Sequence, residues 1–343
     1  MRIEVYAPTI RRKEMDAVLT ALVEDKIGPG EQSRLLMQVA KEYLGFEYGV
    51  ALRSPVFALF VALKLLQLEA GAGVVLSALS PRYYLRVLED LQLRPVYCDV
   101  GSSIPCMDRE TVEAACKDGD PLPKCILAHH TLGFVPDMAA LVQVGPPVIE
   151  DCSPSYGTVQ AEGKSPSAGV FTLLGLEERD MLTSGGGALL YAVNRRDAGV
   201  LRNGGELPPE YGIPDMNAAM AVVQFREGAK NLEKRKAIAQ VYTEAALRTR
   251  HKRFIPREET EYNNYAFPLI LETGMKEVKA YAKRKAIAVE SAFEGTLMGS
   301  GMVVPARCPQ SYSLSLRTVL FPLYPRLGAA DVEKVAKLMG SLP

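Results

Sequence analysis

Residues 170 to 193 read "VFTLLGLEERDMLTSGGGALLYAV": an apolar run, a charged knot, three glycines and a second apolar run. Two strands joined by such a turn can hold a cofactor, because glycine lets the backbone approach a ligand closely. The knot offers Glu177, Glu178 and Arg179 but no lysine, so it carries acid–base and ion-pairing groups without an amine nucleophile. Upstream, "VIEDCSPSYG" ends an apolar run on Asp151, where an aspartate can cap the turn through the following Ser153. "LAHHTLGF" puts His129 and His130 at the end of another run, and with the charged knot they could form an acid–base site.

The elements that must position these residues alternate. In "RRKEMDAVLTALVEDKI" Met15, Val18, Leu19, Leu22 and Val23 form the stripe of an amphipathic helix. After "GPG" at 28 to 30, helical and strand patterns take turns as far as "PVIEDCS", with strands of continuous apolar character. Such strands separated by helices predict an α/β fold with a mainly parallel sheet covered on both faces, whose ligands sit at the carboxyl ends of the strands. From Pro214 a long helical stretch follows, then a strand "YAFPLILET", a helix "GMKEVKAYAKRKAI" and a closing helix "AADVEKVAKLM". The expected division is a large α/β domain over 1–213, a connecting helix over 214–250 and a small C-terminal α/β domain over 251–343.

Composition narrows the class. The 343 residues are 48% hydrophobic and 23% charged, enough for two cores. Forty basic residues balance forty acidic ones, so no net field favours nucleic acid or an anionic membrane. Six cysteines without a C-x-x-C pair and only three histidines argue against a zinc site or disulfide framework, and for reduced thiols in a cytoplasm. No stretch reaches the roughly 18 uninterrupted apolar residues of a membrane span.

The ordered succession "AKEYLGFEYGVAL", "RPVYCDV", "VIEDCSPSYG", "MNAAMAVVQFREGAKNLEKRKAIAQVY" and "VLFPLYPRLGAADVEKV" resembles the DegT/DnrJ/EryC1/StrS family of sugar aminotransferases over nearly the whole chain. The resemblance implies fold type I, the aspartate-aminotransferase architecture, and pyridoxal phosphate chemistry on keto-sugars carried by nucleotides. It also implies a dimer with active sites across the interface. In the family a lysine forms the Schiff base. Aligned forward from Phe171, its position falls on Glu177; aligned back from Ala188, it falls on Arg179, the loop being two residues longer here. A carboxylate has no amine, and a guanidinium with a pKa above about 12 has no free lone pair. A dehydrase branch carries histidine instead, yet no histidine occurs between residues 131 and 250.

The resemblance gives Asp151 the place of the aspartate that faces the pyridine nitrogen, with its turn-capping reading open beside it. Thr172 falls where a serine contacts the phosphate and keeps the hydroxyl. In "RSPVFAL" the family's phosphate cradle loses donors at Pro55 and Val56; Arg53 or Ser54 could bind an anion there, although a helix opening on proline is structurally ordinary. Leu79 replaces the stacking aromatic, Pro154 a ring-positioning glutamine, and Ile213 an asparagine sent by the neighbouring subunit. Tyr83 and Tyr84 read as packing residues, Lys164 as a basic, non-catalytic turn residue, and the histidine pair as inherited architecture, since the family carries one there.

The expectation is therefore a member that kept the fold and shed the chemistry. It has no catalytic residue and takes no cofactor, or pyridoxal phosphate only noncovalently. It binds a nucleotide-sugar or serves as a partner in polysaccharide assembly, as a homodimer or a heterodimer with an active paralogue, in the cytoplasm. The alternative is an active sugar aminotransferase or dehydrase that uses the cofactor noncovalently.

Overall fold

The chain, a computed structural model described over residues 2–160, 167–205, 207–272 and 274–342, opens with α1 (Arg12–Val23) and α2 (Glu31–Leu44). There follow β1 (Tyr48–Leu52), α3 (Pro55–Leu65), β2 (Gly73–Ser77), α4 (Tyr83–Asp90), β3 (Arg94–Cys98), α5 (Arg109–Asp118), β4 (Pro123–His129), α6 (Met138–Val142) and β5 (Val148–Asp151). Then come β6 (Phe171–Gly175), β7 (Ala188–Ala192), α7 (Arg195–Asn203), α8 (Asp215–Ala246), β8 (Phe267–Ile270), α9 (Met275–Arg284), β9 (Glu290–Ser291), α10 (Pro309–Arg317), β10 (Thr318–Phe321) and α11 (Ala329–Met339).

The large sheet runs β1-β7-β6-β5-β4-β2-β3. Its pairs from β3 to β6 are parallel, while β7 is antiparallel to both neighbours. The α/β class with a mainly parallel sheet is thus as the sequence predicts. Side-chain alternation sorts the strands into two cores: Phe171, Leu173 and Leu190 pack toward the α3 and α4 side, while Leu174, Leu189 and Tyr191 pack toward α2 and α8. Each such fully buried side chain stabilises the fold by about 1.5–3 kcal/mol relative to exposure. A small antiparallel sheet, β8-β10-β9, carries α9 and α11.

The long helix α8 joins the two regions: Ala218, Val222 and Phe225 belong to the large core, and Ile238, Tyr242 and Ala246 to the small one. It is anchored at its start by Asp215, whose carboxylate accepts the backbone N–H groups of Gly30, Gln32 and Ser33 at 2.9–3.0 Å and so caps α2.

Two segments cross the division drawn from sequence. Ile3 bridges Ile287, and Leu323 donates to the Val5 carbonyl, so the N-terminus runs with the small sheet. Conversely, Phe293, Leu297, Met298, Cys308 and Leu314 pack into the large core, and the N–H groups of Leu297 and Met298 donate to Ser80 and Ala78. Asp99 caps α10 by accepting from Gln310 and Ser311 at 2.8 and 2.7 Å. This return path brings Phe293 and Thr296 over the carboxyl ends of the large sheet's strands.

Among the described residues no helix is long and apolar enough to cross a membrane, and no group of three or more His, Cys, Asp or Glu is placed to hold a metal ion. All six cysteines are unpaired.

Candidate active site

At the carboxyl ends of β4, β5 and β6 lies a cleft of about 290 Å³. Its floor is Asp151, last residue of a strand buried along its whole length and paired in register with His129 of β4. The strand stops there because Ser153 folds back. Its backbone N–H donates to Asp151 Oδ1 at 3.0 Å, and its hydroxyl donates to the same oxygen at 2.5 Å. The other oxygen accepts from Tyr84 at 2.6 Å and Tyr83 at 3.1 Å. Four donors hold the carboxylate, so Asp151 caps its turn and lines the cleft at once. Tyr83 and Tyr84 do more than pack: burial, then the facing Asp151 charge, drives both phenols well above their ordinary range and keeps them as O–H donors.

His129 also lines the cleft. Its Nδ1 is 3.1 Å from Thr131 Oγ1. Burial holds the imidazole down to about 4, against the opposing pull of Asp151, so it is neutral at physiological pH. His130 points elsewhere: Nδ1 meets Ser155 Oγ at 2.6 Å, and Nε2 stands 3.2 Å from Glu150 Oε1, not aligned as a hydrogen bond. Glu150 accepts the N–H groups of Ala168 and Gly169 on its second oxygen. This fully buried set joins β4 and β5 to the chain before β6 and does not reach the cleft.

The charged knot divides. Leu176 N–H donates to Gly187, and its carbonyl accepts from Ser184 and Gly186, closing a tight loop in which Gly185, Gly186 and Gly187 all have positive φ. A Cβ on Gly187 would strike Ile213, which is fully buried against it. Within the loop Asp180 Oδ2 accepts the Glu177 N–H at 2.8 Å, and both side chains line the cleft. Arg179 turns away to Glu290, 2.8 Å distant, and lies 5.7 Å from the centre of the Tyr6 ring. Of the two places the lysine alignment offers, only that of Glu177 borders the cleft.

Asp180 is the residue sequence reasoning missed. It lies one position beyond the knot as first delimited, and the two-residue lengthening of the loop was the available signal. A Cβ at Gly175 would collide with its carboxylate, so that glycine makes the room. Burial, followed by the nearby charges of Asp151 and Glu177, raises Asp180 to about 8 despite the Glu177 N–H that favours the anion. Burial also raises Glu177.

The remaining sequence candidates lie elsewhere. Ser54 caps α3 by accepting the Phe57 N–H at 3.4 Å, and it is Pro55 that borders the cleft. Thr172 is fully buried, its hydroxyl 2.5 Å from Ser167 Oγ and its cross-strand neighbour Tyr191, outside the cleft. Leu79 lines the cleft as an aliphatic wall. Lys164 lies outside the described residues. The cleft accordingly presents Asp151, Glu177 and Asp180, neutral His129, and the hydroxyls of Tyr83, Thr131, Ser153, Tyr265 and Thr296, with no lysine or arginine among its described lining residues.

Residues 8–340 match the profile of the DegT/DnrJ/EryC1/StrS aminotransferase family. The chain is 32% identical over 182 residues to L-glutamine:2-deoxy-scyllo-inosose aminotransferase of Streptomyces lividus, a match over 51% of this chain and 41% of that relative, so it spans less than half the relative's length. Its fold is similar to a putative sugar aminotransferase from Streptococcus pneumoniae in the PMP form (TM-score 0.89, 18% identity, covering 100% of this chain and 98% of that one). It is also similar to the Escherichia coli GDP-4-keto-6-deoxy-D-mannose-3-dehydratase with bound hydrated PLP (TM-score 0.86, 14% identity, 99% of each chain).

These comparisons correct the expectation of no cofactor. The matching family is one of aminotransferases, and neighbours of this fold were solved in PLP and PMP forms, so pyridoxal phosphate is the cofactor to expect rather than none. The physical reason is visible: the replacements at Leu79, Pro55 and Pro154 have not filled the cleft, and Asp151 stands at its floor. The described lining fits a pyridine ring through Asp151. It does not fit the covalently anchored form, which needs an amine.

Proposed function

Because the chain belongs to the DegT/DnrJ/EryC1/StrS aminotransferase family, we propose that it acts in nucleotide-sugar metabolism by binding a nucleotide-linked sugar in this cleft, without transamination through an internal Schiff base. The observation that carries this reading is the pair Glu177 and Asp180, carboxyl groups on the turn where the resemblance places the lysine, with Arg179 drawn off to Glu290. Losing a catalytic nucleophile alone costs several orders of magnitude in rate. What this chain's residues supply is recognition. Tyr83, Tyr84 and Ser153 fix the position of the Asp151 carboxyl group, neutral His129 can exchange hydrogen bonds with hydroxyls, and Phe293 offers an apolar face.

Association with a second chain, another copy or a catalytic paralogue, is part of the proposal. It is supported by the exposed Met15, Leu19, Leu22 and Val23 along one side of α1. Six unpaired cysteines support a reducing compartment, the cytoplasm.

The test has two parts. Protein mixed with pyridoxal phosphate should give no absorbance band of an internal aldimine and no adduct after borohydride; a trapped lysine adduct in the cleft would defeat the reading. A panel of nucleotide-sugars should include one that raises the melting temperature in a dose-dependent way, since a ligand of the native state stabilises by mass action. A flat response across the panel would remove the binding role.

A further inference from the structure

Asp151 suits a pyridine nitrogen, yet its oxygens are already in use. A carboxylate offers about four lone-pair sites on its two oxygens. Four donors take them: the Ser153 N–H and hydroxyl on Oδ1 at 3.0 and 2.5 Å, and the Tyr84 and Tyr83 hydroxyls on Oδ2 at 2.6 and 3.1 Å. Each of these groups has a proton to give. Ser153 Oγ accepts the Gly175 N–H at 2.7 Å, which leaves its own hydrogen for Asp151. Burial, then the facing Asp151 charge, raises both phenols well above their ordinary range, so both remain O–H donors. A ring N–H that approaches Asp151 therefore meets no free lone pair and has to take the place of a donor.

The four donors differ in what holds them. The Ser153 N–H belongs to the backbone of the turn that ends β5, and the Ser153 hydroxyl is tied to β6 through Gly175. Tyr84 is fully buried in the large core, its ring edge-on to His129. Tyr83 is only half-buried, borders the cleft and makes the longest of the four bonds. It is the first residue of α4, and its ring rests edge-on against Tyr84 with centroids 4.9 Å apart. Of the four, it is the donor that can leave without moving a strand or opening the core.

We infer that Tyr83 is a gate on Asp151: its hydroxyl occupies the lone pair that a ring nitrogen needs, and a pyridine cofactor binds only when that side chain turns away. Affinity for the cofactor is then reduced by the fraction of molecules in which Tyr83 has turned, whereas a ligand that makes no use of Asp151 is indifferent to it. An internal contact, rather than a filled cleft, limits occupancy.

Calorimetric titration of the whole chain tests this with two compounds. Pyridoxamine phosphate carries the ring nitrogen and has no aldehyde to react with surface lysines; benzyl phosphate has the phosphate and an aromatic ring without the nitrogen. Tyr83→Phe keeps the ring against Tyr84 and removes the hydroxyl. It should bind pyridoxamine phosphate at least about tenfold more tightly than the wild type, the worth of one hydrogen bond to a charged group. Its affinity for benzyl phosphate should not change, and the gain should vanish when Asp151→Asn is added. Melting curves check that each variant folds, and Tyr83→Leu repeats the comparison if Tyr83→Phe melts early. Unchanged or weaker binding of pyridoxamine phosphate by the Tyr83 variants, its absence in them included, would overturn the gate. An equal gain for benzyl phosphate, or a gain that survives Asp151→Asn, would overturn the competition for Asp151 on which it rests.

Discussion

Replacing Asp180 with asparagine should stabilise the protein, and more so as pH rises. In the unfolded chain this carboxyl ionises near 3.8; in the fold it ionises near 8. Between those values the folded state keeps a proton that the unfolded state has released, so the wild type loses stability as pH climbs, and the penalty is complete above pH 8. Each pH unit is worth about 1.4 kcal/mol per proton, and roughly four units separate the two values, which sets a ceiling of about 6 kcal/mol. The side chain is partly open to the cleft, where solvent screens its charge, and this brings the expected effect to about 3 kcal/mol. Asparagine retains an oxygen for the Glu177 N–H and removes the charge. Urea denaturation of both proteins at half-unit steps from pH 4 to 9 should therefore give curves that coincide near pH 4, separate steadily up to about pH 8 and then keep a constant gap. Parallel curves, or a gap that closes with rising pH, would refute the assignment of Asp180 as a strained buried acid.

Two further outcomes test the framework around the cleft. Asp215→Ala removes three charge-assisted bonds to the start of α2 and should lower stability by about 3 kcal/mol in denaturation, with amide exchange accelerating first in residues 30–36; a change below about 0.5 kcal/mol would mean that α2 is capped some other way. His130→Ala, in the buried set with Glu150 and Ser155, removes the hydrogen bond to Ser155 and should cost about 1–3 kcal/mol yet leave ligand affinity of the surviving folded protein unaltered; an unchanged melting curve would show that this set does not support the sheet.

Much of the site's frame was legible in the chain. "PVIED" brings two β-branched apolar residues to a pair of acids between two helical or turn segments, so a short strand ending in Asp151 follows from local pattern, while the full burial of Glu150 does not. The absence of a lysine from "LEER" is a fact of composition at one place. The triple glycine likewise signals backbone with positive φ, which Gly185, Gly186 and Gly187 adopt. The ring of hydroxyls was not legible. Tyr83 and Tyr84 sit in a helical pattern that explains them as packing, and only their approach to Asp151, 67 and 68 positions away, reveals them as donors.

What the sequence determined by itself is whatever depends on a residue and its near neighbours: strand and helix periods, the glycine turn, the family likeness spread along the chain, and the missing amine. Tertiary structure decided direction and partnership. Arg179 leaves the cleft because Glu290, 111 positions later, offers it an ion pair, while Glu177 and Asp180 stay because the loop folds on their mutual hydrogen bond. The N-terminal segment packs Ile3 into the small core, and residues 293 to 314 return to roof the large sheet, since each finds apolar surface there that its own segment lacks. Periodicity tells a side chain whether to be buried. Which distant segment buries it, and what that segment brings to a cleft, depends on chain contacts that no local pattern contains.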